Sequence, residues 1–120
     1  MQVRRADGEA AEAIAADFLV TQGLKILARN WRVRGGEIDL VCRDGSTLVF
    51  VEVRLRRSGD YGGAAASITV AKQQRVILAA RHYLQRHSRA DRAACRFDAV
   101  LFDGHGPAQP QWVKNAFLAE

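Results

Sequence analysis

Glu37, Asp39, Glu52 and Arg54 are the side chains of this sequence whose types and spacing point to chemistry. They lie on Glu37-Ile38-Asp39-Leu40-Val41-Cys42 and Val49-Phe50-Val51-Glu52-Val53-Arg54, two runs that alternate apolar and polar residues with period two. Asp44-Gly45 punctuates the runs, which is the pattern of a β-hairpin. The first run puts Ile38, Leu40 and Cys42 on one face and Glu37, Asp39 and Val41 on the other. The second sets Val49, Val51, Val53 and Leu55 against Phe50, Glu52 and Arg54. Residues paired across a hairpin share a face, and a one-residue slip moves every side chain to the other. The two aliphatic rows coincide only if the loop has an even number of residues, Asp44-Gly45 alone or Asp44 to Thr47. Either choice gathers Asp39, Glu52 and Arg54 on the second face, with Glu37 close by. Carboxylates crowded beside one fixed cation repel each other unless a metal or another cation neutralises them.

The elements that must position this cluster are legible in the flanking segments. From Asp7 to about Gln22, Ala11, Ile14, Ala15, Phe18 and Leu19 recur at helical spacing, and Gly23 follows as a stop. Glu9 and Glu12 sit near the start of this helix, where carboxylates suit the macrodipole; Glu12 also flanks the apolar stripe and is placed to look into a cleft. Leu24 to Val33 reads as a strand closed by Asn30-Trp31-Arg32, whose tryptophan is either core or a base-stacking surface beside a phosphate-gripping arginine. Arg34-Gly35-Gly36 turns into the hairpin.

Beyond it, Arg56-Arg57-Ser58-Gly59-Asp60-Tyr61-Gly62-Gly63 reads as a basic, glycine-rich loop next to the acidic cluster. A second helix is expected from Thr69, as N-cap, to about His87, burying Val76, Ile77, Ala80, Tyr83 and Leu84. Its remaining face, with Lys72, Gln73, Arg75 and Arg86, is nearly all positive. Ala94 to Phe102 is another strand, in which Asp98 reads as a partner for a nearby arginine and not as a ligand. Trp112 to Phe117 forms a last short strand. The order is α-β-β-β-α-β with a short strand after, a mixed sheet flanked by helices in a single domain spanning residues 1–120.

A net charge of +5, with arginine far outnumbering lysine, favours a polyanionic partner, and a merely basic protein is the bland alternative. The longest apolar run, Leu48 to Val51, is far too short to span a bilayer. Cys42 and Cys95 lack CxxC spacing, and no signal peptide is evident, so buried thiols and a cytoplasmic protein are expected.

The order of elements, with Glu12 on the first helix, Gly36-Glu37-Ile38-Asp39-Leu40 on the second strand and Glu52-Val53-Arg54 on the third, resembles the PD-(D/E)XK, restriction endonuclease-like fold. That superfamily includes type II restriction enzymes and archaeal Holliday junction resolvases. A closer resemblance, over nearly the whole chain, is to the YraN family of predicted endonucleases, which are distant relatives of those resolvases. Gly8, Glu12-Ala13, Arg29-Asn30-Trp31-Arg32, Gly35 to Leu40, Phe50 to Arg54, Lys72, Cys95-Arg96-Phe97-Asp98 and Asn115-Ala116-Phe117 carry it.

The resemblance implies a divalent metal, Mg²⁺ or Mn²⁺, on Asp39 and Glu52, with Glu12 as a supporting ligand; such hard oxygen donors suit these ions and not zinc. It implies hydrolysis of a nucleic acid backbone, DNA ahead of RNA, and by analogy with the resolvases a homodimer. Arg54 stands where the superfamily has lysine. Arginine effectively cannot lose its proton, so it serves as a cation toward the phosphate and not as a base. Backbone grip falls to Lys72 and to Arg32, Arg56 and Arg57. Two other functions are open to the same residues. One is a non-catalytic nucleic-acid binder in which Arg54 bridges Asp39 and Glu52, and the other is a basic module that meets an acidic protein.

Overall fold

The computed structural model of the protein describes residues 5–56, 68–87, 94–103 and 110–119. The elements run α1 (Arg5–Thr21), β1 (Lys25–Val33), β2 (Gly36–Asp44), β3 (Thr47–Arg56), α2 (Val70–Arg86), β4 (Cys95–Asp103) and β5 (Gln111–Phe117). One five-stranded sheet has the order β1-β2-β3-β4-β5. β3 and β4 are parallel and the other neighbours antiparallel, so α2 is the crossover of a β-α-β unit. The expected α/β architecture, a mixed sheet flanked by helices, is what the chain adopts.

The small residues Ala11, Ala15 and Ala16 let α1 lie close on one sheet face. There they join Leu19, Leu40, Cys42, Val49, Val51, Val53, Val100 and Phe102 in a core. Ile14, which belongs to the same stripe by spacing, is 36% exposed. α1 ends in a Schellman motif: the Gly23 N–H donates to Val20 O and the Leu24 N–H to Leu19 O, with Gly23 at φ +95°. The other face carries Ile38, Val41, Leu48, Phe50 and Phe97 under Val76, Ile77, Ala79, Ala80 and Tyr83 of α2. Thr69 caps α2 by accepting from the Lys72 N–H, and His87 closes it by donating its N–H to Tyr83 O, the bounds read from the sequence.

The hairpin register runs Asp44↔Thr47 through Leu40↔Val51, the register of the expected Asp44-to-Thr47 loop, but Asp44 and Thr47 themselves pair, so the loop shortens to Gly45-Ser46, with Gly45 at φ +61°. Strict alternation breaks above it. Ile38 packs on the α2 face while Leu40 and Cys42 pack on the α1 face, which corrects the expectation that the three share a side. Their neighbours in β1 do the same: Ala28 pairs with Val41 and Trp31 with Ile38, and all four lie on the α2 face. Asn30, at φ +51°, absorbs the turn of β1 in a conformation that asparagine tolerates better than most residues.

Trp31 is thereby placed in the core role, edge-on to Tyr83 at 5.2 Å and to His87 at 5.7 Å. Cys42 is buried as expected, and its thiol is pushed up to about 12 mainly by that burial; Cys95 is exposed, contrary to expectation. No helix among the described residues is long and apolar enough to cross a membrane.

Candidate functional site

The face change in β2 opens the site. β2 and β3 pair only as far as Leu40↔Val51, yet both strands continue, β2 back to Gly36 and β3 on to Arg56. In the gap the Val53 N–H donates to Asp39 Oδ2 at 2.8 Å, so a side-chain carboxylate takes the place of a ladder carbonyl. Glu52 and Arg54 continue the row of Leu48 and Phe50 and therefore face α2. A cavity of about 130 Å³ lies there, lined by Glu37, Glu52, Arg54, Lys72, Arg75 and Val76.

Gly36 sets how closely α2 approaches. A Cβ at this position would meet Arg75 O at 2.4 Å and Ala79 N at 3.2 Å, so only glycine lets the first turns of α2 hang over the cleft. Gly35, at φ +84°, makes the turn that delivers it.

Glu52 is 5% exposed, and Arg54 donates from its terminal nitrogen to Glu52 Oε2 at 3.1 Å. Even so the Glu52 carboxyl is pushed up to about 9. Burial is the largest cause, followed by its hydrogen bond with Asp39 and the Asp39 charge, and together these outweigh the pull of Arg54. Near neutral pH Glu52 therefore keeps its proton beside Asp39. Arg54 Nε is buried without a hydrogen-bond partner. Glu12 reaches the same gap from α1: its carboxyl is raised to about 7 by burial and then by Asp39, Glu37 and Glu9.

The structure thus brings Asp39, Glu52 and Arg54 together as expected, with Lys72 on the cleft wall and Glu12 within electrostatic reach. Among the described residues no three carboxylate, imidazole or thiol groups are gathered closely enough to hold one ion. Mg²⁺, however, is commonly held by one or two carboxylates with water and substrate phosphate completing its shell. A buried Glu52 carboxyl that keeps its proton beside the half-buried Asp39 matches that donor set, so Asp39 and Glu52 fit such an ion. Glu12 fits as a support acting through water.

Arg32 is outside this cleft, ion-paired to Glu37 at 3.3 Å across β1–β2. The Arg56 side chain and all of Arg57 lie outside the described residues. Arg75 was not among the expected site residues. Its signal was the spacing Thr69, Lys72, Arg75, which puts both cations on the face of α2 that begins at the cap. Asp98 is a structural anchor on the opposite face: it accepts from Arg96 Nε and a terminal nitrogen, from Trp112 Nε1 at 2.9 Å and from the Asn115 N–H at 3.0 Å.

A mixed sheet with a helix on each face, split where an aspartate meets a Glu-x-Arg strand, defines the restriction endonuclease-like class. The chain belongs to the uncharacterised protein family UPF0102, whose family model matches residues 11–102. It is 52% identical over 125 residues to a UPF0102 protein of Dechloromonas aromatica, covering 100% of this chain and 99% of that one. To a UPF0102 protein of Nitrosomonas europaea it is 54% identical over 110 residues, 92% of each chain. To one of Alkalilimnicola ehrlichii it is 54% identical over 112 residues, 93% of this chain and 86% of the other. UPF0102 is the YraN family, so the resemblance read from the residues holds.

Proposed function

We propose that the protein is a Mg²⁺- or Mn²⁺-dependent endonuclease acting on DNA, with branched or otherwise structured DNA among its substrates. The observation that carries this reading is the buried Glu52 carboxyl against half-buried Asp39, set in a strand split beside Arg54 under a wall of Lys72 and Arg75. Asp39 and Glu52 would hold the ion, with Glu12 in support. When bound, it supplies charge neutralisation on the phosphate and Lewis acidity toward the attacking water. Arg54 holds Glu52 in place and offers the fixed cation that stabilises charge building on the phosphate oxygens. Lys72 grips the backbone.

A cleavage screen over branched, flapped, single- and double-stranded DNA with Mg²⁺ and Mn²⁺ tests this. Asp39→Asn should abolish cutting, Arg54→Ala should remove most of it, and Arg54→Lys should retain it. Wild-type protein that neither binds metal nor cuts any of these substrates would sink the assignment.

The Arg54–Glu52 ion pair favours a second reading, a non-catalytic nucleic-acid binder in which Arg54 is the permanent counter-ion. Arg54→Ala would then cost about 1–3 kcal/mol of stability without any catalytic consequence.

A further inference from the structure

A second cavity, of about 340 Å³, adjoins the carboxylate cleft and is lined by Arg32, Val33, Gly35, Gly36, Glu37 and Arg75. Glu37 and Arg75 line both cavities and so form their common wall. We propose that the second cavity is a subsite for the phosphate next to the one held at Glu52 and Arg54, so that a DNA strand runs from the cleft past Arg75 to Arg32. The proposal rests on the nuclease reading of the cleft and adds to it the direction of the strand and a residue, Arg75, that reads it.

The lining suits a phosphate. Two arginines from different elements line it, Arg32 of β1 and Arg75 of α2, and guanidinium forks match phosphate oxygens bidentately. Two glycines between them supply backbone with no side chain in the way, and the close approach of α2 onto Gly36 fixes the Arg75 backbone beside the cavity. The Arg75 side chain makes no hydrogen bond or ion pair among the described residues, and the residue is exposed. Arg32 is engaged by Glu37 at 3.3 Å, with side chains 67% and 50% exposed. An ion pair that open to water is weak, and a phosphate can replace Glu37 on Arg32. The neighbouring aromatic is turned away: Trp31 packs against Tyr83 and His87, with the Arg86 guanidinium over its ring at 5.8 Å. The subsite therefore offers charge and no stacking surface, and it reads the backbone and not the base.

Thymidine 5′-monophosphate and thymidine 3′,5′-bisphosphate, titrated calorimetrically in EDTA, separate one phosphate from two adjacent ones. In the wild-type protein the second phosphate should tighten binding about tenfold, the scale of one charge-assisted contact. Arg75→Ala and Arg32→Ala should each reduce that gain to about twofold or less. Arg81→Ala, which removes the same charge from an exposed position of α2 outside both cavities, should keep the gain whole. A gain that is equal in all four proteins, or one that Arg81→Ala diminishes as much as Arg75→Ala, overturns the subsite while DNA cleavage leaves the nuclease reading standing. Absence of binding to either nucleotide overturns the subsite, and absence of cutting in the metal screen besides overturns the nuclease reading with it.

Discussion

Glu52 is held between opposing forces: the Arg54 guanidinium favours its charged form, while burial and Asp39 favour the proton. Its folded pKa lies above the unfolded one. The stability it contributes is therefore fully present below about 4.5 and is lost as the pH climbs toward about 9. Glu52→Gln, which is neutral at every pH, should match the wild-type melting temperature near pH 4.5 and exceed it increasingly toward pH 9 in metal-free buffer. Thermal melts across that range check the sign, and a difference independent of pH would contradict it. Because a metal needs the deprotonated ligands, the Mg²⁺-induced rise in melting temperature should itself grow as Glu12, near 7, and Glu52, near 9, lose their protons.

At the level of elements, the cleft exists because α2 comes down onto Gly36 and because β2 and β3 part at Asp39. Gly36→Ala would force its methyl group into the Arg75 carbonyl. The expected destabilisation is about 1–3 kcal/mol, and DNA affinity should fall as well, because the displaced helix carries Lys72 and Arg75 with it. Denaturant melts and anisotropy titrations measure the two effects separately. On the far side of the sheet, Asp98 ties β4 to β5 with no solvent exposure. Asp98→Ala leaves the Trp112 indole and the Asn115 N–H without their acceptor and Arg96 with Asp44 alone, and should cost about 3–5 kcal/mol while leaving the Asp39–Glu52 cleft chemically intact. The pattern Arg96-Phe97-Asp98 followed by Asn115-Ala116-Phe117 is thus a fastening of the sheet edge.

For the molecule as a whole, a net charge of +5 would draw a polyanion at long range, and on the proposed reading the cleft is where it docks. Binding of duplex DNA should weaken linearly in log affinity against log salt, with a slope of about 0.9 for each phosphate neutralised. Lys72→Ala should reduce the slope by about one such step. Lys114→Ala, on β5 with its ammonium 4.5 Å from the Trp112 ring, should leave it unchanged. A slope indifferent to Lys72 would move the DNA path away from α2.

Much of this arrangement was written locally. Thr69 and His87 bound α2 because capping depends on residues within one helical turn, and Gly23 stops α1 for the same reason. The parity of the hairpin loop placed Asp39, Glu52 and Arg54 together, since two aliphatic rows had to meet the same core. What the period-two pattern had no means to reveal is where a strand ceases to alternate. The break at Asp39 is made jointly with Asn30 on the neighbouring strand and with the Val53 N–H, partners fixed only when the sheet forms. Ile38 changes side because α2 offers it a buried place there. Arg75 becomes a wall residue, and Glu52 keeps its proton, for the same underlying reason. Burial and close approach are properties of the packed sheet and helices, and a local run of residues does not contain them.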